Sequence, residues 1–234
     1  MNEIAASIVA LDQKLSGAPF EYAFIGGSVL SLLVNDPTVD AIRVTKDLDV
    51  IVGVKTRSDF HKEERELERR GFAHDTREDA PICRWRIDDI VVDILPVREE
   101  VLGWKSKWFE AALRSAQPLQ IDGRPVKVIT APFFVALKLE AFEDRGRGDF
   151  IASTDFEDVI CLFNGRRTVV DEILADATVG RDIAEKFSKY LSNRDMEDAV
   201  SGFVQTEINP DESFEAIMSA FRRLAACPLL AANC

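Results

Sequence analysis

The stretch TKDLDVIVGV, residues 45–54, joins two aspartates to a run of residues that favour β-strands. Asp47 and Asp49 are separated by one residue, and in a strand such a pair points to the same face, with α-carbons about 6.6 Å apart. Two carboxylates held in this way can share a divalent cation. The stretch therefore predicts a strand that carries a candidate metal site.

A Gly-Gly-Ser turn, Gly26-Gly27-Ser28, precedes this strand and follows the apolar stretch YAFI at 22–25. The pattern predicts a short strand, a tight turn and a helix that continues through Val34. Glycines let backbone amides approach a phosphate, the serine hydroxyl adds a donor, and a following helix presents its positive end. The turn is thus a candidate phosphate site, with an ordinary helix N-cap as the alternative.

A third aspartate, Asp93, lies inside the apolar stretch IVVDILPV at 90–97. A charged side chain in such a strand is costly unless it is paired or binds a metal ion. If this strand lies beside the strand of Asp47 and Asp49, all three carboxylates face one cleft. Because like charges at such distances repel one another, the cluster favours a divalent cation with oxygen ligands, Mg²⁺ or Mn²⁺.

The stretch ICRWRI at 82–87 is joined to the strand of Asp93 by Asp88-Asp89, which predicts a tight hairpin. Across such a hairpin Asp93 can instead form an ion pair with Arg84 or Arg86. The residues alone leave both interpretations open.

The rest of the chain predicts an α/β (α+β) fold with a mixed sheet in a head domain, residues 1–130, and a helical C-terminal domain, residues 131–234. Helical spacing predicts a helix over 2–16, and the charged stretch 57–70 predicts a solvated helix. Asp122-Gly123 predicts a hairpin between PLQI at 118–121 and PVKVI at 125–129. Further helices are expected near 132–145, 154–163, 168–177, 181–191, 195–205 and 211–226.

Composition restricts the class of protein. A net charge of −12 over 234 residues argues against a broad, non-specific nucleic-acid surface. No apolar run is long enough to cross a bilayer and the N-terminus lacks the pattern of a signal peptide, so we expect a cytoplasmic protein without a membrane partner. The wide spacing of the four cysteines predicts reduced thiols rather than a zinc site: Cys83, Cys161, Cys227 and Cys234.

Three segments together resemble the DNA polymerase β-type nucleotidyltransferases: IGGSVL at 25–30, KDLDVIV at 46–52 and VVDIL at 91–95. The segment at 128–163 is similar to the AbiEii-type branch, the nucleotidyltransferase toxins of bacterial toxin–antitoxin and phage-defence systems. That branch has a lysine on a helix, then an arginine, then Asp-x-x-Asp, and the corresponding residues here are Lys138, Arg145 or Arg147, Asp155 and Asp158. Two features depart from it: Thr154 stands where a basic residue is usual, and GRGDFIAST at 146–154 lengthens the loop.

The resemblance implies a polymerase β-like head with a set of catalytic residues, namely Asp47, Asp49, Asp93, Lys138 and Asp158. It implies that the three strand aspartates bind the metal ions and that the nucleotide is bound by Gly26, Gly27, Ser28, Lys138 and Arg145. It further implies transfer of a nucleoside monophosphate from an NTP to RNA, at a tRNA 3′ end, by a toxin with a cognate antitoxin. The alternatives are a small-molecule or protein hydroxyl as acceptor, and a catalytically silent binding domain whose carboxylates pair with arginines.

The helix of Lys138 adds a physical expectation. Its stretch FFVALKLEAF is mostly apolar, and an ammonium is expensive to bury there without an anion, which triphosphate oxygens would provide. A lysine that extends from the helix edge into solvent is the alternative. We expect Asp155 to cap the following helix, and Asp158 to pair with Lys138 or an arginine.

Overall fold

The computed structural model describes residues 3–36, 47–54, 56–98, 101, 106–204 and 209–226. Contacts divide the chain into two compact units. The first comprises Met1–Val29 and Val44–Thr130, and the second comprises Leu30–Arg43 and Ala131–Cys234. Relative to the predicted domains 1–130 and 131–234, residues 30–43 group with the helical part of the chain.

The first unit contains a mixed sheet of seven strands within the described residues. They are β1 (Tyr22–Ile25), β2 (Asp47–Val52), β3 (Ala73–His74), β4 (Arg84–Ile87), β5 (Ile90–Pro96), β6 (Gln117–Ile121) and β7 (Arg124–Val128). Their order across the sheet is β3-β4-β5-β2-β1-β7-β6. β2 is parallel to β5 and β1 is parallel to β7, whereas the other neighbours are antiparallel, which confirms the predicted α/β fold with a mixed sheet.

The central strand β2 has one apolar and one polar face at its N-terminal end. Leu48 and Val50 are buried, while Asp47 and Asp49 keep partial contact with solvent. The side-chain period of two explains this difference, because alternate residues point to opposite faces of a sheet. The core beneath the sheet therefore fixes which face receives the two carboxylates.

Both predicted hairpins form with two-residue loops. Ile87 pairs with Ile90 between β4 and β5, and Ile121 pairs with Arg124 between β6 and β7. Asp88 and Asp122 both adopt a left-handed φ of 51°. Aspartate tolerates this conformation better than most residues, which explains its place in both loops.

Among the residues described, the first unit contains the helices α1 (Glu3–Leu15), α3 (Arg57–Arg69) and α4 (Phe109–Ser115). The first two confirm the helices predicted over 2–16 and 57–70. The helix predicted from the Gly-Gly-Ser turn through Val34 is wrong in its extent. The structure has a 3₁₀ turn over Gly27–Val29 and then α2 (Leu30–Leu33), a single turn.

Within the described residues, the second unit contains α2 and six longer helices, which confirm those predicted from residue 132 onward. They are α5 (Ala131–Asp144), α6 (Thr154–Gly165), α7 (Val169–Ala175), α8 (Gly180–Tyr190), α9 (Arg194–Val204) and α10 (Pro210–Ala225). Aromatic side chains in mutual contact fill its core, among them Phe142, Phe156, Phe187 and Phe221. In the part of the chain described, no helix has both the length and the apolar character needed to cross a membrane.

The end of α2 is fixed by contacts with α6. The amides of Asn35 and Asp36 donate to the carbonyl of Gly165, at 2.9 and 3.0 Å, and so leave the helical pattern. Gly165 is needed at this contact, because a Cβ there would lie 2.5 Å from Cγ1 of Val34. These interactions explain why the residues after Val29 group with the helical unit.

Candidate functional site

The three strand aspartates lie on two neighbouring parallel strands. In the register of β2 and β5, Asp49 is opposite Asp93 and Asp47 is opposite Val91. Paired residues on adjacent strands point to the same side, so all three carboxylates occupy one face of the sheet. The pairing of β2 with β5 therefore places the three aspartates on one face of the sheet, as expected from the sequence.

Arg84 holds two of these carboxylates. It lies on β4 directly opposite Asp93. Its Nε donates to Oδ1 of Asp93 and its Nη2 to Oδ2, both at 2.8 Å, and Nη2 also donates to Oδ2 of Asp47 at 2.8 Å. Bidentate charge-assisted bonds of this kind are among the stronger polar contacts in proteins. The ion pair that the sequence left open is thus made by Arg84.

The pKa values of Arg84 and of the adjacent Cys83 are both raised, for different reasons. The pKa of Arg84 is raised, chiefly by its hydrogen bonds to Asp93, so the guanidinium stays charged. Burial, and then the charge of Asp93, raise the pKa of the Cys83 thiol to about 12. Cys83 and Cys161 are buried thiols that form no disulfide, as predicted, while Cys227 and Cys234 lie outside the described residues.

Gly26 lies against the carboxylate of Asp49. Ile25 pairs with Asp49 between β1 and β2, so the chain turns immediately beside the aspartate. Gly26 has a φ of +73°, and a Cβ at this position would lie 2.0 Å from Oδ2 of Asp49. Only glycine satisfies both the left-handed backbone and this close approach. The Gly-Gly-Ser turn and the Asp-x-Asp strand therefore form one local structure.

Gly27 and Ser28 occupy the buried 3₁₀ turn that follows. The Ser28 hydroxyl is fully buried and donates to the carbonyl of Ile25 at 3.2 Å. In this arrangement it stabilises the turn, and it must reorient before it can donate to a phosphate. With α2 limited to one turn, the helix dipole expected after this segment is also small.

The residue types of this face fit a divalent cation, since hard ions such as Mg²⁺ prefer carboxylate oxygens. The side-chain arrangement is different, because Arg84 already contacts both oxygens of Asp93 and one of Asp47. Among the described residues, no three Asp, Glu, His or Cys side chains are grouped so that they could hold a metal ion. The carboxylates are therefore suitable metal ligands, but Arg84 already forms ion pairs with two of them.

A second polar cluster lies within the helical unit. Lys138 of α5 contacts Oδ1 of Asp155 at 2.9 Å and Oδ2 of Asp158 at 2.5 Å. Asp155 and Asp158 are three residues apart on α6, a spacing that puts both carboxylates on one helix face. All three residues are buried, with relative exposures of 7% or less. The pairing of Asp158 with Lys138 confirms the expectation from the sequence.

Arg145 completes this cluster from the surface. It donates from Nε and Nη2 to the two oxygens of Asp155, each at 2.8 Å. Burial alone would raise the pKa of Asp155, but hydrogen bonds from Arg145 and the charge of Lys138 outweigh it and lower that pKa. Of the two candidate arginines, Arg145 makes this contact, while Arg147 adopts a left-handed turn with a φ of 51°.

One expectation about this cluster is wrong, and another stays a prediction. The anions beside Lys138 are carboxylates of the same unit, and the binding of its ammonium to triphosphate oxygens stays a prediction. Asp155 is not the helix cap, because the Ser153 side chain accepts from the amide of Phe156 at the start of α6. Asp155 instead lies in the first turn and pairs with two basic residues. The inserted loop supplies the capping serine just before Thr154.

The structure thus groups the predicted residues into two sets. Asp47, Asp49, Asp93 and the Gly-Gly-Ser turn belong to the first unit, and Lys138, Arg145, Asp155 and Asp158 belong to the second. The contact of Arg84 with Asp47 was not predicted. Its sequence signal is indirect, because it depends on the parallel register of β2 and β5 as well as on the hairpin.

No family model matches the chain, and no curated protein matches it. A crystal structure of an antigenic nucleotidyltransferase-like protein from Paracoccidioides brasiliensis is similar, with a TM-score of 0.49 and 18% identity over 92% of this chain and 93% of that one. The solution structure of the antibiotic-resistance factor ANT(2'')-Ia gives 0.45 and 14%, over 81% and 94%. Its crystal structure with adenylyl-2"-tobramycin gives 0.36 and 15%, over 94% and 96%. At these values the similarities neither place the chain in a family nor assign it an activity.

Proposed function

We propose that the chain is a nucleotidyltransferase that moves a nucleoside monophosphate from an NTP to an acceptor hydroxyl. The observation that carries this proposal is the register of β2 and β5, which sets Asp49 opposite Asp93 while Gly26 lies against the Asp49 carboxylate. A carboxylate face bordered by a glycine turn is the arrangement that the sequence motifs require. In the reaction, the acceptor oxygen bonds to the α-phosphorus, the bond to the β-phosphate oxygen breaks, and pyrophosphate leaves.

In this proposal Asp47, Asp49 and Asp93 hold Mg²⁺ or Mn²⁺. The bound cation would polarise phosphate oxygens and neutralise the charge that develops during the displacement. The carboxylates themselves position the cation, and Asp93 is suited to receive the proton of the acceptor hydroxyl once Arg84 has released it. Gly26 and Gly27 have no side chain, so in this proposal their backbone amides would bind nucleotide phosphates.

We propose that Lys138 and Arg145 bind the triphosphate, and that Asp155 and Asp158 position Lys138. Asp155 and Asp158 hold the ammonium at a fixed place on α5, and Arg145 has a mostly exposed side chain that can turn toward an anion. Asp158 therefore acts on the reaction through Lys138 rather than on the phosphate itself. Catalysis would depend mainly on alignment and charge stabilisation, as is usual for phosphoryl chemistry.

For the acceptor we propose RNA, at a tRNA 3′ end, with the chain acting as a growth-blocking toxin that has a cognate antitoxin. The support is the resemblance of residues 128–163 to the AbiEii-type branch, through Lys138, Arg145, Asp155 and Asp158. The net charge of −12 requires that RNA contacts be local, because the molecule as a whole repels a polyanion.

The proposal is tested by incubating the protein with Mg²⁺ or Mn²⁺, labelled NTPs and total cellular RNA. We expect label to enter tRNA with the wild type, and the Asp49→Ala variant to lose activity by about 100-fold or more, because it removes a charge-positioning group. Asp89→Ala is the matched control, since Asp89 is an exposed aspartate in the β4–β5 turn. Label that never enters RNA, or enters it equally with Asp49→Ala, would refute the proposal.

A catalytically silent binding domain is the second candidate, and the Arg84 contacts favour it. An arginine that permanently neutralises Asp93 and Asp47 would leave only Asp49 of the three carboxylates for a metal ion. Calorimetry distinguishes the two candidates. Nucleotide binding that depends on a divalent cation supports the enzyme, and nucleotide binding that is absent or indifferent to the cation supports the silent domain.

A further inference from the structure

We propose that Arg84 is an internal competitor for the divalent cation. Its guanidinium occupies the oxygens of Asp93 and Asp47 that a metal ion would use, so the ion binds only when the guanidinium moves away. This inference rests on the proposed function, because it assumes that the strand aspartates hold a metal ion. It assigns Arg84 a role that the sequence motifs do not give it.

Arg84 and a metal ion would compete for the same carboxylate oxygens of Asp93 and Asp47. The single nitrogen Nη2 donates to Oδ2 of both Asp93 and Asp47, and Nε takes the remaining oxygen of Asp93, all at 2.8 Å. A metal ion bound to these oxygens would lie within a few ångströms of the guanidinium carbon, where two cations repel. The two states of the site are therefore mutually exclusive.

Arg84 cannot yield by losing its charge. An arginine guanidinium keeps its proton in proteins, because its ordinary pKa lies far above neutral pH. The side chain has to rotate away instead. A lysine or histidine in the same place could yield by deprotonation, whereas an arginine has to move.

The Arg84 side chain is placed so that it can rotate away from the two carboxylates. The backbone of Arg84 is fixed opposite Asp93 by the β4–β5 hairpin, yet the side chains of Arg84 and Asp47 keep relative exposures of 21% and 40%. Part of the Arg84 side chain is therefore in contact with solvent. A long side chain in this position can exchange its carboxylate partners for water without a change in the fold.

The competition predicts weak binding of free divalent cations by the wild type and tighter binding when Arg84 is removed. We would measure the affinity for Mn²⁺ alone, without nucleotide, by the loss of the electron paramagnetic resonance signal of free Mn²⁺. The proteins are the wild-type full chain, Arg84→Gln, Arg84→Lys and Arg86→Gln. We expect Arg84→Gln to bind Mn²⁺ about tenfold more tightly, the order of effect of one partly exposed charge of like sign.

Two of these variants act as controls. Arg86→Gln removes the same charge from the same strand, and Arg86 is exposed and two residues along β4, so its affinity should match that of the wild type. Arg84→Lys keeps the charge but loses the bidentate fork, so an intermediate affinity is expected. Adding Asp93→Asn to Arg84→Gln should abolish the gain, which locates the ion at this face.

The rise in Tm on adding Mn²⁺ is a second measurement, and it distinguishes a change in metal affinity from a change in the stability of the variant. The rise in Tm on adding Mn²⁺ should be larger for Arg84→Gln than for the wild type, whatever their Tm values without the ion. Equal Mn²⁺ affinities for wild type, Arg84→Gln and Arg86→Gln would overturn the inference while leaving metal binding intact. If none of the four proteins binds Mn²⁺, the inference falls together with the metal-dependent function.

Discussion

Gly26 is the residue whose identity the site constrains most directly. A left-handed φ of +73° disfavours residues other than glycine on conformational grounds. A Cβ at this position would also lie 2.0 Å from Oδ2 of Asp49, which excludes larger residues on steric grounds. The second constraint links the turn to the carboxylate. A change at Gly26 should therefore affect Asp49 and not only the stability of the turn.

Gly26→Ala is expected to displace the Asp49 carboxylate and to reduce nucleotidyl transfer at least about tenfold, because a misplaced ligand weakens alignment. Gly17→Ala is a matched control, since Gly17 has a similar φ of +71° but a Cβ there would have no neighbouring atom within 4 Å. Urea unfolding should show a loss of about 1–2 kcal/mol for Gly17→Ala and a larger loss for Gly26→Ala. Equal effects of the two changes on stability and activity would contradict the steric link.

The Arg84–Asp93 pair was within reach of sequence reasoning, because a two-residue loop between Ile87 and Ile90 places position 84 opposite position 93. The additional contact with Asp47 was not, since it depends on which strand lies on the other side of β5 and in what register. For the same reason, the presence of carboxylates could be predicted but their pairing state could not. Local spacing gives the neighbours along a hairpin, whereas parallel pairing is set by the whole sheet.

Helix α3 illustrates how an element can carry a titrating group unrelated to the site. Glu63 lies in this helix, and burial followed by the nearby charge of Asp59 raises its pKa from 4.5 to about 7. A carboxyl group whose folded-state pKa is raised binds more protons in the folded than in the unfolded state. Its contribution to stability is therefore present below about pH 4.5 and is lost as the pH rises to about 7.

Glu63→Gln should remove this dependence. We expect the variant to be more stable than the wild type near pH 8, because no charge has to be buried, and its Tm to change less between pH 4.5 and about 7. Thermal unfolding followed by circular dichroism across this range provides the measurement. Glu68→Gln, an exposed glutamate on the same helix, should retain the wild-type slope. A Glu63→Gln slope equal to that of the wild type would show that Glu63 is not the titrating group.

Elements with a strong period were predicted well, and the short ones were not. The hairpins and the long helices follow from alternating or helical spacing that extends over several residues. β3 (Ala73–His74) has two residues and α2 has four, too few to establish a period. α2 also ends through backbone bonds to Gly165, and such a contact between residues distant in sequence leaves no local signal.

The net charge of the whole molecule should be visible in its stability. With a charge of −12, the folded chain repels itself more strongly than the expanded unfolded chain does. Raising NaCl from about 10 mM to about 300 mM shortens the Debye length from about 30 Å to about 6 Å and weakens this repulsion. The surface ion pairs that salt also weakens contribute little by comparison.

We therefore expect Tm to rise by a few degrees over this range of salt at pH 7–8, and the rise to vanish near the isoelectric point of about 4.7. Differential scanning calorimetry at the two pH values provides the comparison. A Tm that falls with salt at neutral pH would show instead that attractive ion pairs outweigh the net repulsion.

The chain passes between the two units three times, after Val29, after Arg43 and after Thr130. Neither unit is therefore one uninterrupted stretch of polypeptide. If the chain were cut after Thr130, the N-terminal fragment would contain α2. The C-terminal helical fragment would then lack the residues that contact Gly165. Gene fusion or recombination at that point cannot exchange either half intact, so the two parts are expected to be inherited together.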